Sequence, residues 1–384
     1  MFSDLYYKAF YFWANWVACP LGAVPFQLDE KRRRIFTNNR SHRKSLRVWM
    51  FLAINNLYLI WCMWYMKKTK NFNAFNQTYA GWVVSSIWVI TLGSFTLQPD
   101  LVCYLFNATV TFFDRYQQSF MPRYNPNRCP VNRVIDTSCT LLRWSCFLIG
   151  ILETVHFAKF ARVCPFYINY YIPAAFYDKP VIIWTAIFHG SIYFVTSLSL
   201  GFSSSFMVSI TLHMTHIVSD DIRCGRKQKY RTLHTLRTGY NMQITYRSLQ
   251  LLNKLYLEHG SVILYPMNWL ILKMVTFLGA TLIKYGHQME PIVRYIIGGW
   301  VIFGIVMWGT CLELAGHMFL YSCRAITSWK YHYWGNETRV MAKFKRSCRP
   351  LKLAHRTMFS IKRLTVLKFF RSVGKTMFKI FVAL

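Results

Sequence analysis

The chain has 384 residues, 54% of them hydrophobic and 18% aromatic, and its 46 Lys and Arg against 14 Asp and Glu give a formal charge of +32. Only 16% of its side chains are charged, below the roughly 25% of an ordinary soluble domain, and several apolar runs reach the ~17 residues that cross a bilayer core. A soluble nucleic-acid binder does not place its charge between such runs. The composition therefore describes an all-α polytopic membrane protein whose basic residues answer to anionic lipid and topology.

Residues 1–47 read as a cytoplasmic N-terminal segment. Its aromatic stretch Ala9–Phe26 is broken by Pro20 and Pro25, which stop a helix from crossing. The stretch reads as an interfacial segment or signal anchor; no basic cluster marks a cleavable signal peptide. Spans are predicted at Val48–Met66, Gly81–Leu97, Thr137–His156, Pro180–Ser203, Ser261–Ile283 and Ile292–Leu314, with Leu364–Leu384 as a seventh. Leu101–Phe113 is too short to span and is expected to continue the second helix into the cytoplasm. Residues 48–384 thus form a seven-helix domain that includes cytoplasmic anchor helices 214–258 and 320–363.

Alternate compartments of this arrangement hold 32 and 7 Lys and Arg. The positive-inside rule then places the N-terminus and the 320–363 loop in the cytoplasm, and the predicted location is the plasma membrane, multi-pass. Of four N-x-S/T sequons, at Asn39, Asn76, Asn107 and Asn336, only Asn76 falls in a predicted outside loop, 67–79. Within 214–258, Leu233, Leu236, Tyr240, Ile244, Leu251 and Leu255 fall on one helical face. That face either packs within the subunit or meets another subunit.

Ionisable residues inside spans are candidates for function. They are Arg143, Glu153, His156, Lys273 and Glu313; Lys273 and Glu313 sit at different depths and are not expected to pair. The outer halves of the spans are rich in aromatics. A mostly apolar, aromatic pocket with a few polar groups suits a small organic ligand, and its candidates are Trp88, Glu153, Trp184, His189, Tyr193, Tyr295 and Trp300. Interfacial anchoring accounts equally for some of them.

The terminal stretch carries the sharpest pattern. Lys368, Arg371, Lys375 and Lys379 fall within roughly 80° on a helical wheel. Phe370, Val373, Met377, Ile380, Phe381 and Leu384 face away. Such a helix either lines a water-filled path or lies on the membrane surface. Pore or gate candidates are Lys375, Thr376, Ile380 and Leu384. No nucleophile–base set, phosphate loop, HExxH or CxxC occurs, so no enzyme, cofactor or metal site is expected. Asp114-Arg115-Tyr116 matches the DRY tripeptide of rhodopsin-like G-protein-coupled receptors, but span 292–314 carries no NPxxY and no CWxP precedes it.

The stretch CPLGAVPFQLD (Cys19 to Asp29), the YRSLQLLNKLY run (Tyr246–Tyr256) before the fifth span, and the Ser347–Phe378 run into the last helix carry a resemblance. The chain resembles the arthropod gustatory and odorant receptor superfamily, and most its divergent springtail-type members. The resemblance implies seven helices, a cytoplasmic N-terminus and a homo- or heterotetrameric, ligand-gated, non-selective cation channel. It implies that the last helix lines the pore and that the cytoplasmic ends of helices four to seven join the subunits. A ligand pocket would lie among the outer halves of the earlier helices. Two features depart from the family. Thr376 is followed by Met377 where the family has Thr-Tyr, with no Gln-Phe after it, and the basic stripe is foreign to a cation pore. The expected function is a chemosensory receptor subunit, a ligand-gated ion channel for a small organic tastant or odorant. Its partners would be that ligand, permeating ions and the lipid bilayer, with no nucleic acid. The alternatives are a G-protein-coupled receptor and a non-conducting accessory membrane protein.

Overall fold

The computed structural model describes residues 3–122, 125, 130–160, 179–225, 230–287, 289, 291–355 and 359–383. Helix α1 (Asp4–Tyr11) runs through π-helical turns (Phe12–Ala18) into the short α2 (Cys19–Leu21), followed by strands β1 (Phe26–Asp29) and β2 (Arg34–Thr37). The long helices are α3 (Asn39–Lys68), α4 (Phe72–Thr96), α5 (Pro99–Phe120), α6 (Pro130–Phe160), α7 (Lys179–His216), α8 (Gly239–Tyr285) and α9 (Pro291–Ser328). Helix α10 (Thr338–Ser347), strands β3 (Ala354–His355) and β4 (Phe359–Ser360), and α11 (Thr365–Ala383) complete the described chain.

Among the described residues, five stretches are long and apolar enough to cross a membrane: Asn39–Lys68, Ala74–Thr96, Ile183–Asp221, Ile263–Tyr285 and Val293–Tyr331. The other two predicted spans fall on helices packed against these. Helix α6 lies along α7, and α11 lies against α8 and α9. Gly150 and Gly190 let α6 and α7 touch: a β-carbon on Gly150 would lie 3.0 Å from the Phe194 Cα. Helix α8 has 47 residues, about 70 Å at 1.5 Å per residue. That is more than twice the ~30 Å hydrocarbon core, so its first half must project beyond the bilayer.

Four expectations change. The stretch Ala9–Phe26 is not an anchor. Its Phe10, Trp13, Ala14 and Ala18 are buried, and Phe10 stacks on Phe106 of α5 and meets Phe202 of α7 edge-on, each at 5.4 Å. Burial against two other helices holds the segment within the fold. Helix α3 starts at Asn39, capped by the Asn38 side chain at the Ser41 N–H (2.7 Å), so the domain boundary drawn at 48 falls inside a helix. Leu101–Phe113 does not continue the second helix: the chain breaks at Leu97 and Gln98, and Pro99 opens α5 as a separate helix, where proline's missing N–H costs nothing. The outside loop predicted at 67–79 shrinks to residues 69–71, leaving Asn76 on α4.

The hairpin β1–β2 pairs Leu28 with Ile35. Two asparagines grip it from either side. Asn15 accepts from the Leu28 N–H and donates to its carbonyl, both at 2.8 Å. Asn107 of α5 does the same for Ile35 at 2.9 Å. Bonded in this way, the Asn107 amide serves the fold.

Beyond the apolar part of the bundle, the first half of α8 meets the end of α9 and α10. Trp329 lies 5.1 Å from Tyr246, edge to face, and 5.9 Å from Phe344, stacked. Its indole N–H donates to the Ile222 carbonyl (3.0 Å), and Tyr246 donates to the Arg349 carbonyl (2.9 Å). Burial pushes the Cys224 thiol beside this layer up to about 11, so it stays protonated and unreactive at neutral pH. The DRY tripeptide lies on α5, outside the apolar spans, where Tyr116 donates to Asp221 Oδ2 at 3.1 Å. There it ties α5 to the end of α7.

The predicted stripe of 214–258 is not one helix. Leu233 and Leu236 precede α8, in a loop with a 3-10 turn (His234–Arg237). Leu236 is buried, whereas Leu233 and, on α8, Tyr240, Ile244 and Leu251 are exposed. Periodicity ran across the loop because leucines on the two sides happen to keep helical spacing.

Candidate functional site

Helices α4, α7 and α9 each place large aromatics toward one another within the bundle. Trp88 of α4 lies 5.4 Å from Tyr193 of α7 and 5.9 Å from Trp300 of α9, ring centre to ring centre. His189 sits one turn before Tyr193 and stacks on it at 6.1 Å. Trp88, His189 and Trp300 are buried. Four of the seven candidate ligand residues therefore form one box between three helices. The Trp88 indole N–H has no hydrogen-bond partner among the described residues. A buried donor left unpaired costs free energy, and an oxygen atom on a small molecule would recover it.

The other candidates fall elsewhere. Trp184 and Tyr295 project from the surface, 72% and 74% exposed. The Glu153 side chain lies outside the described residues, although its backbone is on α6. Arg143 and His156 stand in the same position. Glu313 pairs with His317 one turn on, at 2.6 Å, and the Lys273 ammonium lies 5.7 Å from the Trp269 ring centre. The two do not pair, in keeping with their different depths. Two asparagines that the sequence reading passed over join helices near these aromatics. Asn56 of α3 accepts from the Trp82 indole at 3.1 Å and donates to Ser86 at 2.9 Å. Asn268 of α8 accepts from the Trp308 indole at 2.8 Å. An Asn inside an apolar span was the available signal, because such a group needs a partner.

No known family model matches the sequence, and no curated protein sequence matches it. Solved structures do. Over 95% of this chain and 94% of the other, the structure matches the insect olfactory receptor OR5 from Machilis hrabei with a TM-score of 0.58 at 12% identity. Against the same receptor in complex with eugenol the TM-score is 0.62, again at 12% identity, over 98% of this chain and 97% of that one. The fold is that of an insect olfactory receptor. In this fold the terminal helix α11 is the second element of interest.

Three glycines set the depth of α11. A β-carbon on Gly316 of α9 would lie 3.0 Å from the Arg363 Cα, and one on Gly309 would lie 3.3 Å from the Phe370 ring. Seven residues forward on α11 match seven back on α9, an antiparallel register. On α8, a β-carbon at Gly279 would lie 2.8 Å from the Met377 methyl. Helix α11 therefore runs alongside the apolar segments of α8 and α9 rather than across their ends. Phe369 and Val373 are buried, and Thr376 and Ile380 are half-buried on the same side. Lys368, Arg371, Lys375 and Lys379 are all exposed on another side. The candidate pore residues thus divide: Lys375 faces out, Thr376 and Ile380 face the chain's own core, and Leu384 lies outside the described residues.

Proposed function

We propose that the chain is a subunit of a ligand-gated ion channel that senses a small organic tastant or odorant. The observation that carries this reading is the box of Trp88, His189, Tyr193 and Trp300, set between α4, α7 and α9 in a chain-long olfactory-receptor fold. One relative of that fold is known in complex with eugenol. Aromatic walls supply dispersion and burial, and the free Trp88 N–H supplies one directional contact. A ligand held between three helices that differ in spacing between closed and open states shifts the balance toward the state it fits better. The chain acts in binding and gating and is not an enzyme.

Homo- or heterotetramers would assemble through 214–258 and 320–363, in the plasma membrane with the N-terminus in the cytoplasm. Supporting this, Tyr240, Ile244 and Leu251 expose apolar surface on the projecting half of α8, where water would otherwise cover it. Around the assembly axis, α11 would line the path. The reading is tested by expressing the chain in cells and recording current under a panel of small organic compounds that includes eugenol. An evoked current that disappears in Trp300→Ala, with surface expression unchanged, is the expected result. An N-terminal tag reached by antibody on unpermeabilised cells would refute the topology and the channel with it.

A further inference from the structure

We propose that the ions this channel conducts along α11 are anions. The inference rests on the channel reading above and names the class of ion that its pore would pass.

The first argument is depth. Lys368 to Lys379 spans about 16 Å along the helix at 1.5 Å per residue, more than half of a ~30 Å hydrocarbon core. No single headgroup layer can hold all four cations of a helix seated alongside α8 and α9. Extending the antiparallel register set by Gly316 and Gly309 places Lys375 level with Gly304, near the middle of the predicted span Ile292–Leu314. Gly304 is a packed position within the bundle, where a β-carbon would meet the Met274 methyl at 2.7 Å. A lysine at that depth, exposed on the surface of its own chain, is stable where water reaches it and costly where lipid does.

The second argument is the charge balance. Helix α11 contains no acidic residue. Among the described residues, no ion pair engages Lys368, Arg371, Lys375 or Lys379. The acids on the two helices it packs against are Glu258 on α8 and Glu313 on α9. Glu258 lies 3.9 Å from Lys254 and Glu313 lies 2.6 Å from His317, both within their own helices. Lys273 of α8, partly buried, adds another cation to the helices α11 packs against. Among the described residues, no acidic side chain neutralises the stripe.

The third argument is repetition. When copies assemble around an axis with α11 innermost, each basic position becomes a ring. Rings of Lys and Arg attract anions and exclude cations by the same Coulomb term, as acidic rings do for cations. Exposed apolar side chains, Leu367, Phe378, Phe381 and Val382, lie toward the Arg371 edge of the stripe and fit the neighbouring copy or lipid. Lys368, Lys375 and Lys379, on the other edge, are then left to the water.

Two measurements test this. In planar bilayers holding the full-length chain, single openings are recorded under a potassium chloride gradient. A reversal potential displaced toward the chloride equilibrium value is expected, with displacement back toward potassium in Lys375→Glu. Wild-type reversal at the potassium value overturns the proposal while leaving the channel reading intact, and a bilayer that never conducts overturns both. Independently of opening, Lys375→Cys is treated with small water-soluble thiol reagents of either charge, and modification at that position is read by mass spectrometry. Faster labelling by the negatively charged reagent is expected. No labelling, or faster labelling by the positive one, overturns the proposal.

Discussion

Helices α3 and α11 both leave one side of themselves uncovered by the rest of the chain, and the two sides are chemically opposite. Helix α3 exposes Phe51, Ile54, Leu57, Trp61 and Trp64. Helix α11 exposes Lys368, Arg371, Lys375 and Lys379. The seats differ too. Polar bonds fix α3, including the Trp49 indole on the Val89 carbonyl at 3.1 Å and the Asn56 pair to α4. Close approach to glycines fixes α11. The contrast shows that exposure at bilayer depth has two meanings. In the proposed assembly an apolar uncovered face is finished by lipid, and a basic one by water and other copies.

The largest effect expected from breaking this comparison is at Leu57, 66% exposed near the middle of α3. Leu57→Lys should cost about 3 kcal/mol of membrane insertion, read with a glycosylation reporter placed after the helix. If the lysine is tolerated without loss, α3 also faces water and the two helices are not different in kind. Next is Gly316→Val, whose added carbons run into the Arg363 backbone rather than a flexible side-chain tip. Overpacking there should cost about 1–3 kcal/mol, seen as a lower melting temperature in detergent. Accessibility at Phe369, buried in the native chain, should rise with it. An unchanged melting temperature would mean that α11 is not seated on α9. The smallest effect is at Asn56→Leu, which removes the bonds to Trp82 and Ser86. Interhelical polar bonds of this kind contribute about 0.6 kcal/mol on average in a membrane. A loss several times that size would mean that α3 depends on the pair far more than on its apolar contacts.

Much of the scaffold was legible in residue order. Each of the six clear spans read from hydropathy falls on one long helix, although the helices run up to about 20 residues further, because a segment that crosses lipid must satisfy its own backbone and present apolar side chains. The resemblance read from Cys19–Asp29, Tyr246–Tyr256 and Ser347–Phe378 agrees with the fold that the structural matches share. The aromatic box was legible only in part. Tryptophan and tyrosine serve equally well as interfacial anchors and as pocket walls, so composition could not separate Trp88 and Trp300 from Trp184 and Tyr295. The stripe at 233–255 misled for a related reason: spacing alone does not reveal that a helix begins only at Gly239.

By itself the sequence determined that this is a helical membrane protein, which runs are long and apolar enough to cross a bilayer, and that its last stretch carries four cations on one side of a helical wheel. Those properties depend on each segment's own transfer energy and on the 3.6-residue period, both local. Tertiary structure alone decided that one side of Ala9–Phe26 packs into the core, and that Trp88, His189, Tyr193 and Trp300 meet. It alone set α11 alongside α8 and α9, with its lysines turned outward and Thr376 and Ile380 turned in. Those outcomes depend on which helix faces which, a matter of contacts between residues hundreds of positions apart that no local pattern contains.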